Sequence, residues 1–245
     1  MSLLADILAS KAREVDALRE VPRRRGEGGP SADVARTLRR ASPGGGPGVI
    51  AEIKLRSPSA GPLSRALSPA QRAVAYAEAG AAMVSVLCDG PFFDGSWDHV
   101  SAVRAALEGS GRRIPILAKE YVLDGRQIEE ARDRGADAVL LIARIVPSAT
   151  LARLTRVAHA EGLEPVLEVV DERELEAALE AGGKVIGVNA RDLDTLRASG
   201  VARVAGGRAD AILVGEALMR EEDPRTLLRS MVRASENSAH EGARR

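Results

Sequence analysis

Residues 114–143 read IPILAKEYVLDGRQIEEARDRGADAVLLIA. A short apolar run, Ile114–Ala118, ends on Lys119 and Glu120; a helical pattern, Gly125–Arg134, follows; Gly135 then precedes a second apolar run, Ala138–Ala143. Both runs are too short for helices and do not alternate, as expected of parallel strands buried on both faces. Glycine closes a helix at little conformational cost. The same exit recurs as Glu78-Ala-Gly-Ala, Glu180-Ala-Gly-Gly and Ala205-Gly-Gly-Arg, each just before an apolar run.

Working outward, seven runs have strand character: Val49–Ile53, Met83–Leu87, Ile114–Ala118, Ala138–Ala143, Pro165–Val170, Val185–Val188 and Ala211–Val214. Helical patterns lie between them over Pro69–Ala79, Ser96–Leu107, Gly125–Arg134, Ser148–Ala160 and Glu172–Ala181. Repeated βα units predict an α/β fold of the TIM-type (β/α) barrel, with its site at the carboxyl ends of the strands. A doubly wound sheet is the alternative, but no G-x-G-x-x-G follows the first run. The pattern places an N-terminal helical extension and Gly/Pro-rich connection over 1–48, the barrel over 49–234 and a polar tail over 235–245. The extension is expected outside the barrel, with one amphipathic helix over residues 3–20 and a short helical run at Val34–Arg40.

Composition limits the function classes. The chain has 245 residues, 45% of them hydrophobic, enough for a substantial core made almost without aromatics, which are 2%. Thirty-five basic residues balance thirty-five acidic ones, so a basic nucleic-acid surface is not indicated. Cys88 is the single cysteine and has no internal disulfide partner, in keeping with a reducing compartment. No apolar run approaches the length of a membrane span, and the N-terminus lacks the basic head and apolar middle of a signal peptide. The expectation is a cytoplasmic enzyme without a metal, since His99, His159 and His240 show no ligand spacing.

Polar residues stand where the site is expected. Glu52 and Lys54 are two apart and share a strand face; Lys119 ends the third run, Glu168 lies within the fifth and Asn189 ends the sixth. Ionisable groups inside an apolar sheet are costly unless paired, so they mark acid/base chemistry on an anionic substrate. Each also has a plainer reading, as an ion pair such as Glu52–Lys54 or Lys119–Glu168 closing the barrel mouth.

Six segments carry a resemblance: AEIKLRSPSAGPL (51–63), VLCDGPFFDGS (86–96), residues 116–142, LEVVDERELEAAL (167–179), IGVNARDLDTL (186–196) and ILVGEALM (212–219), with Ile7-Leu8, Lys11 and Glu14-Val15 before them. Together they resemble the indole-3-glycerol-phosphate synthase family of tryptophan biosynthesis. The resemblance implies a lyase that closes the indole ring of 1-(2-carboxyphenylamino)-1-deoxyribulose 5-phosphate with loss of carbon dioxide and water. It implies Lys119 as general acid and Lys54 as a lysine against the substrate carboxylate. Glu168 matches the carboxylate paired with the acid and used in dehydration, and Glu52 and Asn189 match the residues that hold the substrate hydroxyls and intermediate. Arg191 matches a carboxylate contact, Ser57 and Pro58 the mobile loop after the first strand, and Phe93 and Leu140 the apolar walls around the aromatic ring. Gly215 and Glu216 would supply a phosphate loop. No cofactor is implied, and the chain is expected to be a monomer, with contacts to other tryptophan-pathway enzymes and none to nucleic acid or membrane. Glu120 and Tyr121 stand where the family usually has Asp and Phe.

One departure is larger. Between IGVN and ILVG the family fits two βα units, and here the interval has the length of one. A parallel crossover needs a dozen or more residues, so Val201–Ala205 is too near Ala211 to serve as an additional strand. The sequence predicts a helix within residues 197–210, a missing or contracted seventh unit and a depleted phosphate site. Two other functions stay open at this point: another phosphosugar barrel isomerase, or a barrel that binds ligand or partner without turnover.

Overall fold

The computed structural model describes residues 2–20, 33–40, 47–58, 60–189 and 209–242. Seven parallel strands lie among them: β1 Gly48–Ile53, β2 Met83–Leu87, β3 Ile116–Lys119, β4 Ala138–Ile142, β5 Glu164–Val169, β6 Val185–Val188 and β7 Ala211–Val214. Their order is β6-β5-β4-β3-β2-β1-β7, every neighbour parallel, so the sheet curls as a TIM-type half-barrel. The expected helix over 197–210 and the question of a seventh unit fall on residues 190–208, outside the described residues. Strand boundaries differ from the expected runs by one or two residues, and at the third and fourth strands the reason is local. Pro115 has no N–H and contributes only its carbonyl, to Val84 N at 3.0 Å, so β3 begins at Ile116 and takes in Lys119. Beyond Ile142 a 3-10 turn, Ala143–Ile145, ends β4.

Ten helices are described. They are α1 Leu3–Glu20, α2 Val34–Arg40, α3 Pro69–Glu78, α4 Gly90–Phe93, α5 Trp97–Gly109, α6 Gly125–Asp133, α7 Ser148–Ala160, α8 Glu172–Glu180, α9 Glu216–Arg220 and α10 Arg225–Gly242. Their starts are written in the sequence. Ser68 and Gln71 form a capping box with Pro69 in the first turn of α3, and Asp124 and Gln127 do the same for α6. Such a cap contributes about 1 kcal/mol. The exit of α6 shows why glycine is needed: Gly135 has φ +87°, and a Cβ there would lie 3.0 Å from Arg104 Cγ. Arg104 Nε donates to the Gly135 carbonyl at 2.8 Å across the same gap.

Strand parity divides the core into two layers. Val49, Ala51, Ile53, Val84, Val86, Ile116, Ala118, Val139, Leu141, Leu167 and Val169 point outward into the helices. Met83, Leu117, Ala138, Leu140, Ile142 and Val166 point inward, where they form a second apolar cluster. The inner cluster has a contribution from the extension: Val34 and Leu38 of α2 are buried in it. The expectation that residues 1–48 pack outside the barrel is corrected here for α2. The inner residues at the strand starts would otherwise face water, and the apolar face of α2 formed by Val34 and Leu38 covers them.

Helix α1 is fixed differently. Lys11 is 1% exposed, and its ammonium lies 2.7 Å from Glu14 Oε2, 3.0 Å from Glu120 Oε2 and 3.1 Å from Asp89 Oδ2. Asp89 follows β2 and Glu120 follows β3, so one buried cation ties the extension to the carboxyl ends of two adjacent strands. Burial alone would lower the Lys11 pKa, but the three carboxylates outweigh it and raise it. Burial pushes Glu120 up to about 7 against the pull of Lys11.

Two outcomes follow from this cluster. Lys11→Met keeps the length but leaves Asp89 and Glu120 buried without their cation, so urea unfolding should show a loss of about 3–5 kcal/mol. An unchanged midpoint would show that the cluster does not hold the fold. Because folded Glu120 titrates near 7 instead of at the ordinary 4.5, the folded chain holds an extra proton between those values. Stability should therefore fall as pH rises through that window. Urea midpoints measured from pH 5 to 8 should decline in the parent chain and decline much less in Glu120→Gln.

Candidate functional site

The same parity that buries the apolar layer sends polar side chains to the mouth of the sheet. Glu52 lies on the inward face of β1, Lys119 ends β3, Glu168 lies near the end of β5 and Asn189 follows β6. Register brings them together from four strands: Leu87 pairs with Lys119, and Ile142, Glu168 and Gly187 lie side by side.

Glu52 is the centre of this group. Its side chain is 3% exposed; Lys119 Nζ donates to Oε1 at 2.6 Å, and Lys54 Nζ lies 3.3 Å from Oε2. Burial would push the Glu52 carboxyl up, but the two ammonium groups outweigh it and hold it below its ordinary value. Lys119 answers in the opposite sense. Burial would lower its pKa, yet Glu52 and Glu168 together raise it, so the ammonium stays protonated between two carboxylates. Glu168 accepts a hydrogen bond from Asn189 Nδ2 at 3.0 Å, and Asn189 N donates to the Val169 carbonyl at 2.8 Å. The contact expected between Lys119 and Glu168 is thus corrected: the short partner of Lys119 is Glu52, and Glu168 acts on it only through its charge. The reason is geometric. Glu52 and Lys119 reach each other across the intervening β2, whose inward residue opposite Glu52 is the small Ser85.

The remaining candidates surround this group unequally. Leu140 is buried in the inner cluster, against which Tyr121 packs. Phe93, at the end of α4, stacks on Tyr121 with centroids 6.2 Å apart and planes at 27°. Tyr121 therefore joins the two apolar positions into one wall, a role not evident from the sequence, where it registers only as Tyr in place of Phe. Its backbone is held on both sides: Gln127 Nε2 donates to the Tyr121 carbonyl at 3.0 Å, and Glu120 Oε1 accepts from Tyr121 N at 2.7 Å. Burial, with the charges of Glu168, Asp89, Glu120 and Glu52, raises the phenol pKa.

Ser57 and Pro58 lie on a small hairpin in which Arg56–Ser57 pairs antiparallel with Gly61–Pro62. Ser57 is buried and Pro58 exposed. The hairpin is clipped to the loop after β2: Arg56 and Arg65 both pair with Asp94, and Arg56 foremost holds that carboxyl below its usual range. Asp94 is the one non-glycine residue with positive φ among the described residues, at 53°. Gly95 beside it cannot carry a side chain, because a Cβ would lie 2.5 Å from the Leu87 carbonyl oxygen. This clip was also missed; an Arg and an Asp 38 residues apart give no sequence signal. Gly215 closes β7 and Glu216 opens α9, where its carboxylate pairs with Arg220 at 2.8 Å. Arg191 lies outside the described residues.

A lysine held protonated, flanked by carboxylates and backed by an aromatic wall, can protonate a carbonyl oxygen next to an aromatic ring. Known proteins are similar to this chain over most of its length. The family model described as indole-3-glycerol phosphate synthase matches residues 4–201. The chain is 44% identical over 230 residues to an indole-3-glycerol phosphate synthase 2 of Streptomyces coelicolor, covering 83% of this chain and 86% of that protein. It is 38% identical to an indole-3-glycerol phosphate synthase of Mycobacterium avium, covering 94% of this chain and 90% of that one. That alignment runs over 257 positions, more than this chain supplies, so the relative has residues with no counterpart here. Among solved structures, a 3-hexulose-6-phosphate synthase superposes with TM-score 0.55 at 16% identity, covering 76% of this chain and 99% of that one. An orotidine 5'-monophosphate decarboxylase of Sulfolobus solfataricus gives 0.52 at 19% identity, over 77% and 97%. These two speak for the barrel fold alone. The chain belongs to the indole-3-glycerol phosphate synthase family.

Proposed function

We propose that this chain is an indole-3-glycerol phosphate synthase acting in tryptophan biosynthesis, a carbon–carbon lyase that closes the indole ring with loss of carbon dioxide and water. The observation that carries the reading is the Lys119 ammonium set between Glu52 and Glu168 on the inner face of the sheet. In this reading Lys119 gives its proton to the substrate carbonyl oxygen as the ring closes, and the released carbon dioxide returns its electron pair to the ring. Glu168, oriented by Asn189, takes the proton lost from carbon in the dehydration, and the departing hydroxyl takes a proton from the Lys54 ammonium and leaves as water. Lys54 faces the substrate carboxylate from the residue just past β1, and Phe93, Tyr121 and Leu140 supply the apolar wall for the aromatic ring. Charged partners buried in a dry mouth act more strongly than in water.

The phosphate end is read as weakened. Gly215 and Glu216 take the phosphate-loop role, and Arg191 that of a second carboxylate contact. The interval after Leu196 is read as one βα unit short of the family pattern. Hydrogen bonds to a charged group contribute about 1.5–3 kcal/mol each. Loss of one or two raises the Michaelis constant by about tenfold or more if ground and transition states are bound alike.

Purified protein given the carboxyphenylamino-deoxyribulose phosphate should form indole-3-glycerol phosphate, followed by indole absorbance. Lys119→Met should lower kcat by about a hundredfold or more, and Glu168→Gln should lower it at the dehydration half. Normal turnover by Lys119→Met would remove the assignment. Steady-state kinetics beside the Streptomyces coelicolor relative should give a KM higher by about tenfold or more with kcat less affected. Titration calorimetry with a substrate analogue separates the rival reading, since tight binding without turnover would mark a barrel that only binds.

A further inference from the structure

Glu52 is gripped on its far side by the turn that follows β7. Ala51 pairs with Val214, which places Gly215 beside Glu52. A Cβ built on Gly215 would fall inside van der Waals contact of Glu52 Oε2, and would lie 3.1 Å from Cδ and 3.2 Å from the Glu52 Cβ. Gly215 has a negative φ, −120°, so no left-handed turn calls for glycine there. The demand is for space. The turn is itself clamped: Met219 N donates to the Gly215 carbonyl at 3.0 Å, and Arg72, fully buried on α3, donates to the carbonyls of Leu218 and Glu221 at 3.1 and 3.2 Å. One turn further along α3, Tyr76 Oη donates to the backbone carbonyl of Glu52 at 3.4 Å and lies 3.6 Å from Met219 Sδ. The turn after β7 and the end of β1 are thereby locked to each other through α3.

We propose that Gly215 is a positioning residue for the acid: its bare Cα is the surface against which Glu52 rests, and this sets where Glu52 holds Lys119. The proposal rests on the reading of Lys119 as the acid and assigns Gly215 a role in kcat, beside any role at the phosphate. A methyl group at 215 displaces the Glu52 carboxylate from its place, and Lys119 loses its short partner. Displacements of about 1 Å at a reacting group cost roughly a hundredfold in rate.

The test is Gly215→Ala, with Glu52→Asp/Gly215→Ala as its partner, because removing one methylene from residue 52 restores the space. Gly215→Ala should lose about a hundredfold in kcat with KM within about threefold, and the double variant should be less impaired than the two single changes combined. A readout free of substrate accompanies this: acetic anhydride labelling of Lys119, followed by mass spectrometry, should be several-fold faster in Gly215→Ala than in the parent. That labelling tests the contact even if the parent chain closes no ring, so failure of the functional reading is distinguishable. Unchanged kcat, a change confined to KM, or an unchanged labelling rate would each overturn the proposal. If Gly215→Ala alone is insoluble, a soluble double variant supports the Glu52 contact and an insoluble one overturns it.

Discussion

A carboxylate buried at the end of a strand has to be met by positive charge, and Glu52 is met by two lysines. Lys119 comes from β3 and Lys54 from the residue just past its own strand. Removing a carboxylate from water costs several kcal/mol, which the pair offsets only when its geometry is held. Most of the surrounding structure serves that geometry. Ser85 keeps the intervening strand small, Gly215 leaves the far side bare, and Tyr76 and Arg72 hold the backbone behind both. The outcome is an ammonium group on Lys119 whose charge and place are fixed by the fold itself.

A second buried charge cluster does similar work one layer further out. Lys11 reaches from the N-terminal extension to Asp89, two residues past β2, and Glu120, one past β3. Glu120 directly follows Lys119, and Asp89 caps the short helix that ends at Phe93. The extension therefore contributes at both ends of the sheet, with Val34 and Leu38 in the apolar interior and Lys11 beside the mouth. Both constrain the strands and loops that carry Lys119 and the aromatic wall.

The fold was legible because parallel strands and their helices leave local marks. Seven apolar runs of strand length, capped helices and glycine exits recur along the chain, and the strands formed at those runs within one or two residues. The site was legible in part for the same reason, since residues two apart on a strand share a face and ionisable residues at strand ends stand out against an apolar background. Lys54, Glu52, Lys119, Glu168 and Asn189 were all visible in this way. Tyr121, Asp94 with Arg56 and Arg65, and the Arg72–Tyr76 brace were not. Each depends on contacts between segments far apart in sequence, whose residue types carry no local signal.

The sequence by itself determined the βα repeat, the carboxyl-end placement of the polar residues and, through its motifs, the family. Only the tertiary structure decided who pairs with whom. Parity states that Glu52, Lys119 and Glu168 point inward, but the pairing depends on strand register and on the size of side chains between them. It is the curl of the sheet past Ser85 that gives Lys119 to Glu52 and leaves Glu168 to Asn189. In the same way, Gly215 reads in the chain as the start of a turn, and its closeness to Glu52 exists only because β7 lies beside β1.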